Sequence, residues 1–280
     1  MKVVLYSRPE AKQFAALAEG CQTIGHKVVW QRPGVWQSGD IIADAGAVVV
    51  HGMSRTGGDI ARQYQDRKVP VWILELPRIR TEPNAWGFYL DTVHYVPDKG
   101  FRKPVTPGLI EDRKPETVVV CGQLPGDLAH GMPMGAWDAW AREQVRNARE
   151  VTGLKVVYRQ HPHYNAAIPS DKYGADEISD SRDSILREAL ENAAVLICHN
   201  STSGWEAIDA GVPVFATATG EHRPGYKDYC IESLDDLKPL SKARRREALE
   251  RAASSQWTMK EFRSGAAAER CFGSAMEAAA

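Results

Sequence analysis

Three segments of this chain place chemistry-bearing side chains directly after short apolar runs. They are Gly122-Gln-Leu-Pro-Gly-Asp127, Arg159-Gln-His-Pro-His163 and Asn200-Ser-Thr-Ser-Gly-Trp-Glu206. The runs before them, residues 117–121, 154–158 and 195–198, have the length and composition of buried parallel strands. Ligands of such sheets gather beyond the carboxyl ends of the strands. Gln123, Asp127, Arg159, His161, His163, Ser201, Thr202, Ser203 and Glu206 are therefore expected around one crevice. In the third segment Asn200 to Ser203 offer N-cap side chains. A helix over 205–210 follows, stopped by Gly211 with Pro213 just beyond. A hydroxyl-rich turn entering a helix is expected to present backbone N–H groups and the positive end of the helix dipole, which suits a diphosphate. Glu206, one turn inside, is placed to accept hydrogen bonds from ribose hydroxyls. A capped helix of an ordinary α/β fold would use the same residues. The convergence with the Arg159 and His161 segment favours a site, because cation, imidazole and helix start then point to one place.

The elements that must hold these residues alternate between strand and helix throughout. Residues 2–6 form the first strand, 11–25 a helix ending in glycine and 26–30 the second strand, the usual opening of a doubly wound domain. Further strands are expected over 47–50, 69–74 and 86–90, and a helix over 59–67. A short helix or turn is expected over 36–45. Residues 97–115 carry Pro97, Pro104, Pro107 and Pro115 with little periodicity, so the boundary is placed near Asp112. The fold class is α/β with two Rossmann-like parallel-sheet domains, 1–112 on the acceptor side and 113–280 on the donor side. In the second domain helices are expected over 137–151, from a cap at Asp183 to 192, and over 241–254. A strand is expected over 212–216 and a short helix entry at 234–237. A final helix over 258–280 is expected to pack back across the first domain.

Composition bounds the rest. The chain has 280 residues, 43% hydrophobic and 25% charged, with a formal net charge of -1, enough for two α/β cores and without a global polyanion footprint. No apolar run approaches the roughly 20 residues that span a membrane. Residues 1–6 lead into a strand rather than a signal peptide. Cys21, Cys121, Cys198, Cys230 and Cys271 are scattered in apolar surroundings, as expected for reduced thiols in a cytoplasmic protein.

The second-half residues also carry a resemblance. Gly122-Gln123 with Gly126-Asp127, Tyr158-Arg159-x-His161-Pro162, and Ser201-x-Ser203-Gly204-Trp205-Glu206-Ala207 with Gly211-x-Pro213-Val214 resemble the motif series of capsule-polysaccharide-type glycosyltransferases. These have the GT-B architecture, two Rossmann-like domains around a deep cleft. The resemblance spans roughly residues 117–229 and implies that Arg159, His161, Ser201, Ser203 and Glu206 bind the diphosphate and nucleotide of an activated sugar, a UDP-sugar first. Gln123 and Asp127 would line the same cleft. The chain departs from that family in being shorter and in lacking a Gly-Pro-Phe-Tyr run after Phe215. Its compact length resembles phage glycosyltransferases that decorate hydroxymethylated pyrimidines in DNA. The segment Pro70-Val-Trp-Ile-Leu-Glu-Leu-Pro77 with Arg78 and Arg80 is similar to their first-domain pattern. The acceptor is accordingly either hydroxymethylated DNA or a surface glycan. A sugar-nucleotide 2-epimerase and a nucleotide-binding module without turnover share the two-domain plan.

Sugar transfer needs a stabilised leaving diphosphate and an activated acceptor hydroxyl. His51, Glu75 and Asp91 stand at predicted strand exits of the first domain and are the general-base candidates. Each also has a plain structural role open to it: His51 as a turn residue, Glu75 as partner of Arg78, Asp91 as a turn cap. No DxD-type pair sits at a strand exit, so no metal is required. Zinc at His161, His163 and His199 is the weaker reading. Arg78, Arg80, Arg102, Lys103, Arg113 and Lys114 are either a surface tracking a nucleic-acid backbone or a solvated face.

Overall fold

The computed structural model describes residues 1–32, 41–52, 55–79, 85–90, 103–125, 130–164, 167–181 and 184–278. The chain divides into two compact units, Met1–Phe101 with Ala253–Ala280, and Arg102–Ala252.

The first unit is built on a six-stranded sheet of order β11-β5-β4-β3-β1-β2. Strands β1 (Lys2–Tyr6), β2 (Lys27–Gln31), β3 (Ala47–His51) and β4 (Val71–Glu75) run parallel. β5 (Ala85–Leu90) is antiparallel to β4, and β11 (Gln256–Thr258) is antiparallel to β5. Successive side chains of a strand point to opposite faces, and here both faces are apolar. Val3, Leu5, Val49 and Leu74 join one core with α1 (Lys12–Thr23), α7 (Met259–Arg263) and α8 (Ala266–Ala278). Val4, Val48, Val50 and Ile73 join the other with α2 (Arg55–Gln65). The C-terminal stretch is not one helix. It makes β11 first, then α7, started by a reciprocal capping box between Thr258 and Glu261. Gly265, at φ 84°, then separates α7 from α8. Gly20 of α1 meets α7 backbone to backbone: a Cβ there would lie 1.8 Å from the Phe262 carbonyl oxygen.

The second unit is a five-stranded, wholly parallel sheet of order β10-β9-β6-β7-β8. Its strands are β6 (Thr117–Cys121), β7 (Lys155–Gln160), β8 (Glu177–Asp180), β9 (Ala193–Cys198) and β10 (Val214–Ala216). Helices α3 (Trp137–Thr152), α4 (Leu186–Glu191), α5 (Ser203–Ala210) and α6 (Lys242–Ala253) complete it. Order runs one way from β6 to β7 and β8, and the other way to β9 and β10. The reversal lies between β6 and β9. Edge strand β8 has no buried residue, which is why no apolar run announces it. Residues 234–235 form a turn and no helix begins over 234–237; Ser233 Oγ accepts the Asp235 amide, and Pro239 disfavours helical geometry just before it. The expected cap Asp183 and residues 36–40 of the 36–45 stretch lie outside the described residues, and a turn stands at 43–44. Among the described residues no helix is long and apolar enough to cross a membrane.

Candidate functional site

The reversal point of the five-stranded sheet is where a parallel α/β sheet opens a crevice. Gln123 leaves β6 there and Asn200 leaves β9. Their side chains interlock: the Asn200 amide N–H donates to Gln123 Oε1 at 2.9 Å, and Gln123 Nε2 donates to Asn200 Oδ1 at 2.8 Å. Asn200 Nδ2 then donates to the His222 carbonyl at 3.1 Å. Gln123, expected as a ligand contact, thus spends its amide on the chain.

The start of α5 is largely self-satisfied. The Ser203 amide donates to Ser201 Oγ at 3.2 Å, Gly204 to the Ser201 carbonyl at 3.0 Å and Trp205 to the Thr202 carbonyl at 3.0 Å. The expectation of several free amides is corrected to fewer: Thr202, exposed at the N-cap, has no partner for its amide among the described residues. Ser203 Oγ is buried without a hydrogen-bond partner of good geometry, with the Cys121 thiol as its polar neighbour. Glu206 is half-buried in the first turn. Tyr226 fixes this turn from behind, donating to the Ser201 carbonyl at 2.6 Å. Burial pushes the Cys121 and Cys198 thiols up to about 12 and holds the Tyr226 phenol well above its usual range, so these groups support the site as neutral packing.

Arg159 is brought to the same edge, opposite Cys121 in the β6–β7 register. Its guanidinium, however, is buried and donates to Ser179 Oγ at 2.6 Å, Ser184 Oγ at 3.1 Å and the Ser184 carbonyl at 2.6 Å. His161 begins the next loop; its Nδ1 accepts the His163 amide at 3.2 Å. His163 itself is exposed. Among the described residues no three His, Cys, Asp or Glu side chains converge as metal ligands. Asp127 lies outside the described residues.

In the first unit the strand order reverses between β1 and β3. His51 ends β3, exposed, with its ring set edge-on to Phe14 at 6.2 Å and tilted to Trp86 at 6.2 Å. Gly52 follows at φ 60°. Glu75 ends β4; its Oε1 accepts the Leu76 amide at 2.8 Å, and its Oε2 would stand 2.7 Å from a Cβ at position 52. The carboxylate therefore lies over the residue after His51, where the positive φ of Gly52 favours glycine. Arg78 does not extend into solvent: it is buried with its guanidinium 4.1 Å above the Tyr89 ring. Asp91 lies outside the described residues. Ser7 and Arg8, directly after β1 at the reversal point, were not singled out by sequence; the strand-exit rule applied to β1 would have found them.

No protein-family model matches the sequence, and no curated protein does. Solved structures do. KpsC of Thermosulfurimonas dismutans, as its beta Kdo 2,7 transferase, superposes with a TM-score of 0.53 at 17% identity, over 96% of this chain and 100% of that one. The fold is GT-B-like. The beta Kdo 2,4 transferase of the same KpsC gives 0.49 at 14% identity over 89% and 98%. The glycosyltransferase SnogD of Streptomyces nogalater gives 0.35 at 14% identity over 96% and 98%.

Of the four described cations considered for a nucleic-acid surface, Arg78, Lys103 and Arg113 are turned to the interior or bonded within the chain. Arg113 donates to the Gly211 carbonyl and, at 2.6 Å, to the Ala193 carbonyl. Lys103 is buried. Lys114 is exposed, and Arg80 and Arg102 lie outside the described residues.

Proposed function

We propose that this protein is a glycosyltransferase that moves a sugar from a nucleotide-sugar donor, a UDP-sugar first among them, to an acceptor hydroxyl. The observation that carries this is the reversal point of the five-stranded sheet. There the Gln123–Asn200 clasp holds the start of α5 with Thr202 exposed at the cap and Glu206 in the first turn. Negative charge at that helix start is favoured by the dipole and by the Thr202 amide and hydroxyl. His161 adds a donor to the leaving phosphate, and Glu206 accepts from the ribose hydroxyls. The Arg159 guanidinium, committed to Ser179 and Ser184, shapes the β7–β8 edge and adds positive potential rather than a direct ligand bond.

Activation of the acceptor falls to His51, the exposed imidazole at the end of β3, with Glu75 as the second choice of base. Either would take the hydroxyl proton as the new glycosidic bond forms and the nucleotide leaves with the bonding electrons of the old one. The acceptor class is a sugar hydroxyl. Two observations support it over a hydroxymethylated base in DNA: the internal use of Arg78, Lys103 and Arg113, and the similarity to the KpsC beta Kdo 2,7 transferase.

The test is product analysis with UDP-, CMP- and GDP-sugars against an oligosaccharide panel and hydroxymethylcytosine DNA. Free nucleotide together with a glycoside supports the proposal. An isomerised sugar nucleotide identifies an epimerase instead. Donors recovered unchanged with every acceptor refute it.

A further inference from the structure

Beyond the stretch that begins with Gln123, two histidines, His130 and His199, are each bonded through both ring nitrogens. The His130 ring is buried. Its Nε2 lies 2.9 Å from the Leu124 carbonyl, which only accepts, so Nε2 carries a proton. Its Nδ1 receives the Met132 amide N–H at 3.0 Å, so Nδ1 carries none. The ring is neutral by geometry. His199, just after β9, is bonded through both nitrogens as well, one of them to a hydroxyl that can donate or accept. Its Nε2 lies 3.2 Å from the His130 carbonyl and must donate; in the neutral ring its Nδ1 then accepts from Thr217 Oγ1 at 2.9 Å. Thr217 Oγ1 also receives the Trp140 indole N–H, at 2.9 Å, which leaves its own O–H available to His199 Nδ1. With a neutral His199 the chain of bonds runs from Trp140 to Thr217 to His199 to the His130 carbonyl. Trp137 stacks between the ends of it, 5.5 Å from the His130 ring and 4.4 Å from the Trp140 ring. Gly131, at φ 63°, brings the chain against the His222 ring, where a Cβ would come 1.9 Å from Nε2.

We propose that His130, His199 and Thr217 are positioning residues of the nucleotide site: a neutral imidazole clasp that sets residues 130–132 against the exits of β9 and β10. The role rests on the donor-site reading above; the clasp itself rests on geometry alone. Two described stretches after β6 are tied to β9 and its neighbours. Gln123 holds Asn200, and His130 with Gly131 meets His199 and His222. Asn200 and His222 are themselves bonded, which closes the circuit through the residues that precede α5. A shift of the His130 end is thereby passed to Asn200 and to the Thr202 cap. Neither end touches a ligand atom in this scheme, so the effect of losing the clasp is on the placement of α5, not on the chemistry of transfer.

The test uses the full chain. Nitrogen-15 spectra of the imidazoles are expected to show both His130 and His199 as the neutral Nε2–H tautomer. Thr217→Val removes the relay hydroxyl at nearly constant volume and is expected to speed exchange of the Trp140 indole proton. It is also expected to weaken binding of whichever of UDP, CMP or GDP the wild type binds by about tenfold, the factor that about 1.4 kcal/mol represents. Thr217→Ser, which keeps the hydroxyl, should restore both. An Nδ1–H tautomer at either histidine overturns the clasp. Unchanged nucleotide affinity in Thr217→Val overturns the positioning role. Binding of no nucleotide by the wild type overturns the donor site and the role together, a failure the tautomer spectra tell apart from loss of the clasp.

Discussion

Gly204 offers the sharpest test of how the start of α5 is held. A Cβ at this position would stand 2.3 Å from Tyr226 Cζ, 2.5 Å from Cε2 and 2.7 Å from the hydroxyl oxygen. Carbon atoms rest at about 3.5–4.0 Å, so the ring must retreat by more than an ångström. It has nowhere to go: Tyr226 is buried, set edge-on against Trp205 at 5.3 Å and bonded to the Ser201 carbonyl. Overpacking of this kind costs about 1–3 kcal/mol, and a rigid ring puts it near the top of that range. Against it, alanine gains about 1 kcal/mol over glycine inside a helix. The clash wins, and Gly204→Ala should destabilise by about 2 kcal/mol. For a unit of this size that is a fall in melting temperature of roughly 4–8 °C. Urea and thermal unfolding measure it directly. In a Tyr226→Ala background the obstacle is gone, so the same substitution should be neutral or stabilising. A cost below about 0.5 kcal/mol in the wild-type background, or an equal cost in both backgrounds, refutes the assigned contact.

The remaining predictions concern charge and reactivity. Burial holds the Cys121, Cys198 and Cys230 thiols up at about 12. At pH 8 only about one in ten thousand would be thiolate, so alkylating reagents should spare them until the chain unfolds, as peptide mapping after a short pulse would show. The Val156 amide, and with it Arg149, holds the Asp176 carboxyl below its usual range. Its folded-state pKa lies below the unfolded one, so its stabilisation is complete above the unfolded value and is lost as pH falls through the folded one. Asp176→Asn should therefore flatten the drop in urea midpoint between about pH 5 and about pH 3, by a small amount because the carboxylate is partly exposed. His51→Ala should lower kcat by about 10²–10⁴ with little change in stability, since the ring is exposed. An equal loss in Glu75→Gln alone, with His51→Ala active, would move the base to Glu75.

The strands that position the sites were legible because a buried parallel strand advertises itself as an unbroken apolar run. Thr117–Cys121 and Ala193–Cys198 are of this kind, and both are buried almost throughout. Gly211 was readable as the stop of α5 for a local reason, its φ of 81°. What was not legible depended on distant partners. β8 is a half-exposed edge strand held by pairing to β7. β11 is three residues paired to β5 across more than half the chain. Arg159 read as a phosphate ligand because an arginine after a strand usually is one in a nucleotide site; only the fold shows Ser179 and Ser184 under its guanidinium. His130 carries no local signal at all. Its importance lies in two backbone partners, Leu124 and Met132, that only the folded loop brings to its ring.

The most direct measurement is the melting temperature of the wild type and of Thr202→Asp with UDP, CMP and GDP. An acidic cap suits a helix start, so Thr202→Asp should fold at least as stably as the wild type. It also places a negative charge where the phosphate is proposed to sit. A nucleotide at 100 times its Kd stabilises by about 2.7 kcal/mol, a rise of roughly 5–10 °C. That rise is expected with one nucleotide on the wild type and is expected to be lost in Thr202→Asp. No rise with any nucleotide, or an undiminished rise in Thr202→Asp, would contradict the proposed donor site.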